Sequence, residues 1–76
     1  MLTVWIIVGD FMHIGENGRH ESVVQKHTFA TDQEKVAFLK GFEAGADGEW
    51  QWADSEAEVD RVIADAQQQR AAFLKQ

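Results

Sequence analysis

Apolar and polar positions follow two different periods along this 76-residue chain. From Leu2 to Phe29, β-branched and aromatic residues dominate. They are interrupted by Glu16-Asn17-Gly18-Arg19, in which Asn-Gly is the preferred pair for a two-residue type I′ hairpin turn. The pattern predicts a long hairpin in which Ile6 opposes Phe29, Met12 opposes Val23 and Glu16 opposes Arg19. Gly9-Asp10 suits a bulge within the first strand, because neither residue favours a strand interior. Alternation then gathers Leu2, Val4, Ile6, Val8, Met12, Ile14, Val23 and Phe29 on one face. Trp5, Ile7, Phe11, His13, His20 and Val24 fall on the other.

Beyond Phe29 the period changes. Thr31-Asp32-Gln33-Glu34 is a capping-box pattern: the Thr side chain accepts from the amide three residues on, and the Glu side chain reaches back. A helix is predicted from Asp32, with Val36, Leu39 and Phe42 at spacing three, Phe38 alongside, and a stop between Gly45 and Gly48. Trp50-Gln51-Trp52 alternates briefly, as a short third strand does. Ser55-Glu56-Ala57-Glu58 repeats the capping box and opens a second helix of about twenty residues, with Val59, Val62, Ile63, Ala66, Phe73 and Leu74 as its apolar stripe.

The element order is therefore strand, strand, helix, strand, helix. It predicts a single small α+β domain over residues 1–76, with a three-stranded antiparallel sheet in the order 2-1-3 and two helices on one face. A right-handed crossover from strand two makes strand three parallel to strand two and places it on the free side of strand one. The helices are expected on the Leu2, Val4, Ile6, Val8 side, which leaves the Trp5 face open.

Composition agrees with a folded domain: 45% of residues are hydrophobic and 26% charged, with five Phe and three Trp. A chain of this length cannot divide its apolar residues between two cores. Having no Cys, it carries no disulfide, no thiolate metal site and no Cys nucleophile. The longest apolar run, Val4-Trp5-Ile6-Ile7-Val8, is far shorter than the roughly 20 residues of a membrane span and has no preceding basic residue. A soluble, cytoplasmic chain with no membrane contact is expected.

Charge narrows the partners. The net charge is −6, and residues 43–65 concentrate it: Glu43, Asp47, Glu49, Asp54, Glu56, Glu58, Asp60 and Asp65 stand against Arg61 alone. Carboxylates repel nucleic-acid phosphates, so direct nucleic-acid binding is disfavoured and a basic partner is better suited.

Candidate chemistry is sparse. His13, His20 and His27 recur every seven residues, but in a period-two strand His20 and His27 point to opposite faces and no third ligand joins them. Ser22 opposite His13 has neither a base orienter nor an oxyanion site on a flat hairpin. Gly15-Glu16-Asn17-Gly18 joins two strands, whereas a phosphate-cradling loop runs from a strand into a helix, and Asp47-Gly48-Glu49 lacks calcium-loop spacing. No catalytic, cofactor-binding or metal-ligating residue is assigned, no cofactor is expected, and the chain reads as a non-enzyme.

The aromatic residues and the acidic run carry the remaining signal. An open sheet face holding Trp5, Ile7 and Phe11, extended by Trp50 and Trp52 on the neighbouring strand, suits a binding surface, since Trp is enriched at binding hot spots. Glu49, Asp54, Glu56, Glu58 and Asp60 add a solvated acidic surface. The leading expectation is a small non-catalytic protein-binding module that forms a homodimer through the aromatic face or a free strand edge. One alternative is an acidic inhibitor or nucleic-acid mimic, of the kind phages direct at the basic groove of host nucleic-acid enzymes. Another is a small-ligand protein or enzyme with a pocket between sheet and helices.

Overall fold

A computed structural model describes residues 1–76. Strand β1 (Leu2–Val8) is followed by helix α1 (Phe11–Asn17), strand β2 (Val24–Phe29), helix α2 (Asp32–Gly45), strand β3 (Trp50–Ala53) and helix α3 (Glu56–Leu74). The three strands form one antiparallel sheet in the order β2-β1-β3. The small α+β class, the strand order and the parallel relation of β3 to β2 are those the sequence predicts.

The first connection differs. Residues 11–17 are helical where the sequence suggested a continued hairpin arm. Gly9-Asp10 ends the strand instead of bulging within it: Gly9 has φ +105°, and the Asp10 side chain caps α1 by accepting from the His13 amide at 3.0 Å. Asn17-Gly18 closes that helix. Gly18 keeps the positive φ that a turn would have required (+59°), but as the helix C-cap, whereas Asn17 does not adopt positive φ. Phe11 and Ile14, three residues apart, turn toward the odd-numbered face of β1, so tertiary cover outweighs the β propensity of the segment.

Pairing therefore places Leu2 against Phe29 and Ile6 against Gln25, a shift of four residues from the predicted register. Because four is even, each strand residue keeps its predicted face. Leu2, Val4 and Ile6 share a face with His27 and Phe29, while Trp5 and Ile7 share the opposite face with Val24.

Both faces are covered, which corrects the expectation of two helices on one side. Helix α2 lies over the even face, its Phe38 ring 4.6 Å from His27 and 5.1 Å from Phe29, with Phe42 4.8 Å from Trp50. Helices α1 and α3 cover the odd face, where Trp5, Ile7, Ile14, Val23, Ala53, Val59, Ile63 and Ala66 form the main core. The apolar run in β1 accounts for this: with Val4, Ile6 and Ile7 fully buried and Trp5 only 8% exposed, a central strand apolar on both sides needs two layers of cover.

Both long helices start at the predicted caps, each with the first of the capping box's two bonds; the Glu side chains do not reach back, and that of Glu58 pairs with Arg61. The Thr31 side chain accepts from the Glu34 amide at 3.2 Å, and Ser55 does the same for Glu58 at 3.2 Å. Thr31→Ala and Ser55→Ala are each expected to lower stability by about 1 kcal/mol. A shift of the urea midpoint in both variants checks this. An unchanged midpoint would show that the helix starts are fixed by packing alone.

Candidate functional site

The two outer strands leave the sheet with two free edges, and the β3 edge is where a groove forms. Main-chain geometry there follows from one bond: the Gly9 amide donates to the Glu49 carbonyl at 2.9 Å. In an antiparallel ladder hydrogen-bonded pairs alternate with non-bonded ones, so with Gly9 and Glu49 bonded, Ile7–Gln51 and Trp5–Ala53 are the bonded pairs along β1 and β3. Trp50 and Trp52 then turn their N–H and C=O groups outward, toward the unpaired edge.

Side chains along β3 alternate between the two layers. Gln51 and Ala53 point to the α3 side, and Trp50 and Trp52 to the α2 side. On the α3 side a groove of about 370 Å³ runs past Glu49, Gln51, Arg61, Val62 and Asp65. It continues into a second depression of about 210 Å³ that shares Gln51, Arg61 and Val62 and adds Ala53, Asp54 and Glu58. The apolar floor comes from Phe11 and Ile14 of α1 and from Val62 and Ala66 of α3.

On the α2 side the cover is thinner. None of the α2 side chains is fully buried, although Val4 and Ile6 beneath the helix are. Phe38 reaches His27 and Phe29 of β2 and Phe42 reaches Trp50 of β3, while Val36 is 39% exposed and Trp52 44% exposed. The Lys35 ammonium stands 5.3 Å from the centre of the Trp52 ring, a cation–π contact that holds the indole over the edge.

Electrostatics favour a cation in the groove. Glu49, Asp54, Glu58 and Asp65 face Arg61 alone. Arg61 donates to Glu58 at 2.8 Å and to Asp65 at 3.4 Å; hydrogen bonding to Glu58, then its charge, pushes the guanidinium pKa up, so Arg61 stays charged at any working pH. Glu49 and Asp54 form no ion pair.

The residues singled out from sequence divide into three groups. Trp5 and Ile7 lie in the core, and Phe11 packs against that core and edge-on to Phe73 at 5.9 Å, so no open aromatic face exists on the odd side of the sheet. The expectation failed because a third helix, unforeseen at residues 11–17, joins α3 on that side. Glu56 and Asp60 lie around the corner from the groove, held by Arg19: its guanidinium stands 2.8 Å from Glu56 and donates to Asp60 at 2.6 Å. Those two carboxylates are engaged within the molecule. Glu49, Asp54 and Glu58 do gather at the β3 edge on the α3 side, whereas the Trp50 and Trp52 side chains lie across the strand on the α2 side, the opposite face of the sheet from Trp5.

Sequence reasoning missed Asp65 and Val62 as site residues. The signal was present for one of them: Asp65 belongs to the acidic run, four residues beyond Arg61. The histidines are dispersed. His13 Nε2 lies 3.3 Å from the Ser22 carbonyl, His20 Nδ1 lies 2.9 Å from the Ser22 hydroxyl, and His27 stacks on Phe38; no group of three metal-ligating side chains forms. Ser22 thus meets His20, not His13 as the hairpin register suggested, through its hydroxyl. No helix is long and apolar enough to cross a membrane.

Comparison with models of protein families, with curated proteins and with solved structures finds no match for this chain.

Proposed function

We propose that the protein is a small non-catalytic binding module whose β3 edge takes a basic segment of a partner protein. The observation that carries this reading is the groove between β3 and α3. Four carboxylates surround one arginine, which pairs with Glu58 and Asp65 and leaves Glu49 and Asp54 without an ion pair and the groove net negative, while Trp52 stands exposed on the other side of the same strand. Charge of one sign along a groove steers an oppositely charged partner and selects against acidic ones, while an adjacent aromatic supplies apolar area. Self-association through the Trp5 and Ile7 face, one of the two dimer routes expected from sequence, has no such support because both side chains are inside the core; the other route, a free strand edge, stays open to a second copy.

The test is a stopped-flow titration of Trp fluorescence with a Lys- and Arg-rich peptide against an acidic peptide of equal length. Saturable binding of the basic peptide only is expected. Raising the ionic strength from about 0.01 to 0.15 M shortens the screening length from about 30 to 8 Å and is expected to slow association. Glu49→Gln, Asp54→Asn and Asp65→Asn together are expected to slow it at least about tenfold. Equal binding of the acidic peptide, or association indifferent to salt and to these substitutions, would overturn the reading.

A further inference from the structure

We infer that the partner binds as an added strand: a basic segment pairs with the outward main-chain groups of Trp50 and Trp52 and extends the sheet to four strands. The inference rests on the acidic-groove reading and adds the conformation and sequence pattern of what occupies the groove.

Three observations carry it. First, the hydrogen-bond parity fixed by the Gly9–Glu49 bond leaves the N–H and C=O groups of Trp50 and Trp52 pointing away from β1, and neither residue's main chain takes part in any turn, cap or side-chain hydrogen bond. An unpaired row of this kind is a template for another strand. Second, β3 is short, but it carries no Pro and no Lys of its own: the groove runs along its α3 side, and on the α2 side Trp52 is 44% exposed, with the Lys35 ammonium 5.3 Å from its ring. The β2 edge contrasts with it: Lys26 stands in the middle of that strand, the Val24 amide is taken by the His20 carbonyl, and neither depression adjoins it.

Third, the flanks differ in chemistry. A residue of the added strand that pairs with Trp50 or Trp52 lies on the α2 side, against the exposed Trp52. A residue opposite Gln51 or Ala53 lies on the α3 side, among Glu49, Val62, Asp65 and Glu58. The geometry therefore selects an extended segment of about five residues in which apolar and basic residues alternate. A helical basic segment places its cations at spacing three and four and matches neither the outward amides nor the two flanks.

The probe is a seven-residue peptide alternating Arg and Val, compared with a peptide of the same composition in which the four Arg precede the three Val. Amide hydrogen exchange by NMR is the first readout. The alternating peptide is expected to slow exchange at Trp50 and Trp52 at least about tenfold, with Gln51 and Ala53 little changed because β1 already pairs them. Trp52→Pro is the second. It removes one outward N–H without touching the β1 pairing, so it is expected to weaken binding at least tenfold more than Trp52→Val, which loses the ring but keeps the amide.

If the alternating peptide binds in a salt-sensitive way while the Trp50 and Trp52 amides exchange as before, the added strand is wrong and the acidic groove reading stands. Equal affinity of the blocked peptide together with unchanged Trp50 and Trp52 exchange likewise rules out the added strand. If neither basic peptide binds, both readings fall. If exchange at Trp50 and Trp52 slows with rising protein concentration and no peptide, the strand comes from a second copy and the heterologous partner is wrong.

Discussion

Ile7→Asp is expected to abolish the fold. Ile7 is fully buried near the end of β1, the central strand, between Val24 on one neighbouring strand and Gln51 on the other, within the cluster formed by Ile14, Val59 and Ile63. Loss of the aliphatic side chain alone costs about 2–5 kcal/mol, and a carboxylate there has no ion-pair partner. Total stability for a domain of this kind is of the order of 5–15 kcal/mol, and only ten of 76 residues are buried, which places this chain toward the low end. Circular dichroism should show loss of the helical signal and of a cooperative melting transition. Trp5→Glu is expected to act in the same direction but more weakly, because the Lys26 ammonium lies 5.8 Å from the Trp5 ring and can meet the new carboxylate. A folded, cooperative Ile7→Asp protein would show that the odd face of the sheet is open after all.

Gly15→Val is expected to separate α1 from α3. The two helices cross so closely that a Cβ on Gly15 would stand 2.9 Å from the Ala66 carbonyl oxygen and 3.1 Å from two carbons of Arg70. The carbonyl belongs to the α3 main chain and cannot swing aside as a side chain tip does. Overpacking of this kind costs about 1–3 kcal/mol, more where backbone must move. Because α1 and α3 together roof the odd face, the displacement also loosens cover over Ile14, Ile63 and Ala66. A fall in melting temperature checks the prediction, with Gly41→Val as the control for the intrinsic helix effect, since Gly41 lies in α2 with open space around its Cα. Equal melting temperatures for the two variants would contradict the close crossing.

What the sequence disclosed and what it concealed have separate physical origins. The helix starts at Thr31 and Ser55 are local: a side-chain oxygen three residues from the amide it bonds is written in the sequence, and the structure shows both bonds. The faces of β1 and β2 survived a wrong register because side-chain parity depends on even shifts alone. Asn17-Gly18 misled because the same backbone demand, positive φ at Gly18, serves a hairpin turn and a helix C-cap alike. Phe11-Met12-His13-Ile14 has β propensity, and what makes it helical is the need to cover Trp5 and Ile7, a demand set by residues elsewhere in the chain.

The site was legible in part for the same reasons. Glu49, Asp54, Glu58 and Trp52 stand close together in sequence around one short strand, so composition alone brought them forward. That Trp5 belongs to the opposite side of the sheet from Trp52 depends on the pairing of Trp5 with Ala53 and of Ile6 with Trp52, a register that no local signal encodes. Ion pairing between Arg19 and the carboxylates Glu56 and Asp60 spans 37 and 41 residues and was equally invisible. It withdraws two of the expected acidic residues from the surface offered to a partner.

An NMR titration of isotope-labelled protein with the alternating Arg-Val peptide is the sharpest test of binding at the β3 edge, because it reports every backbone amide at once. Chemical-shift changes are expected at Glu49–Asp54 and at the α3 residues Glu58, Arg61, Val62 and Asp65, with smaller changes at Lys35, which stands over Trp52, and none along β2. Shifts centred on the β2 edge around Lys26, or on Phe73 and Leu74 at the exposed end of α3, would place the binding surface elsewhere and contradict the assignment of the β3 edge.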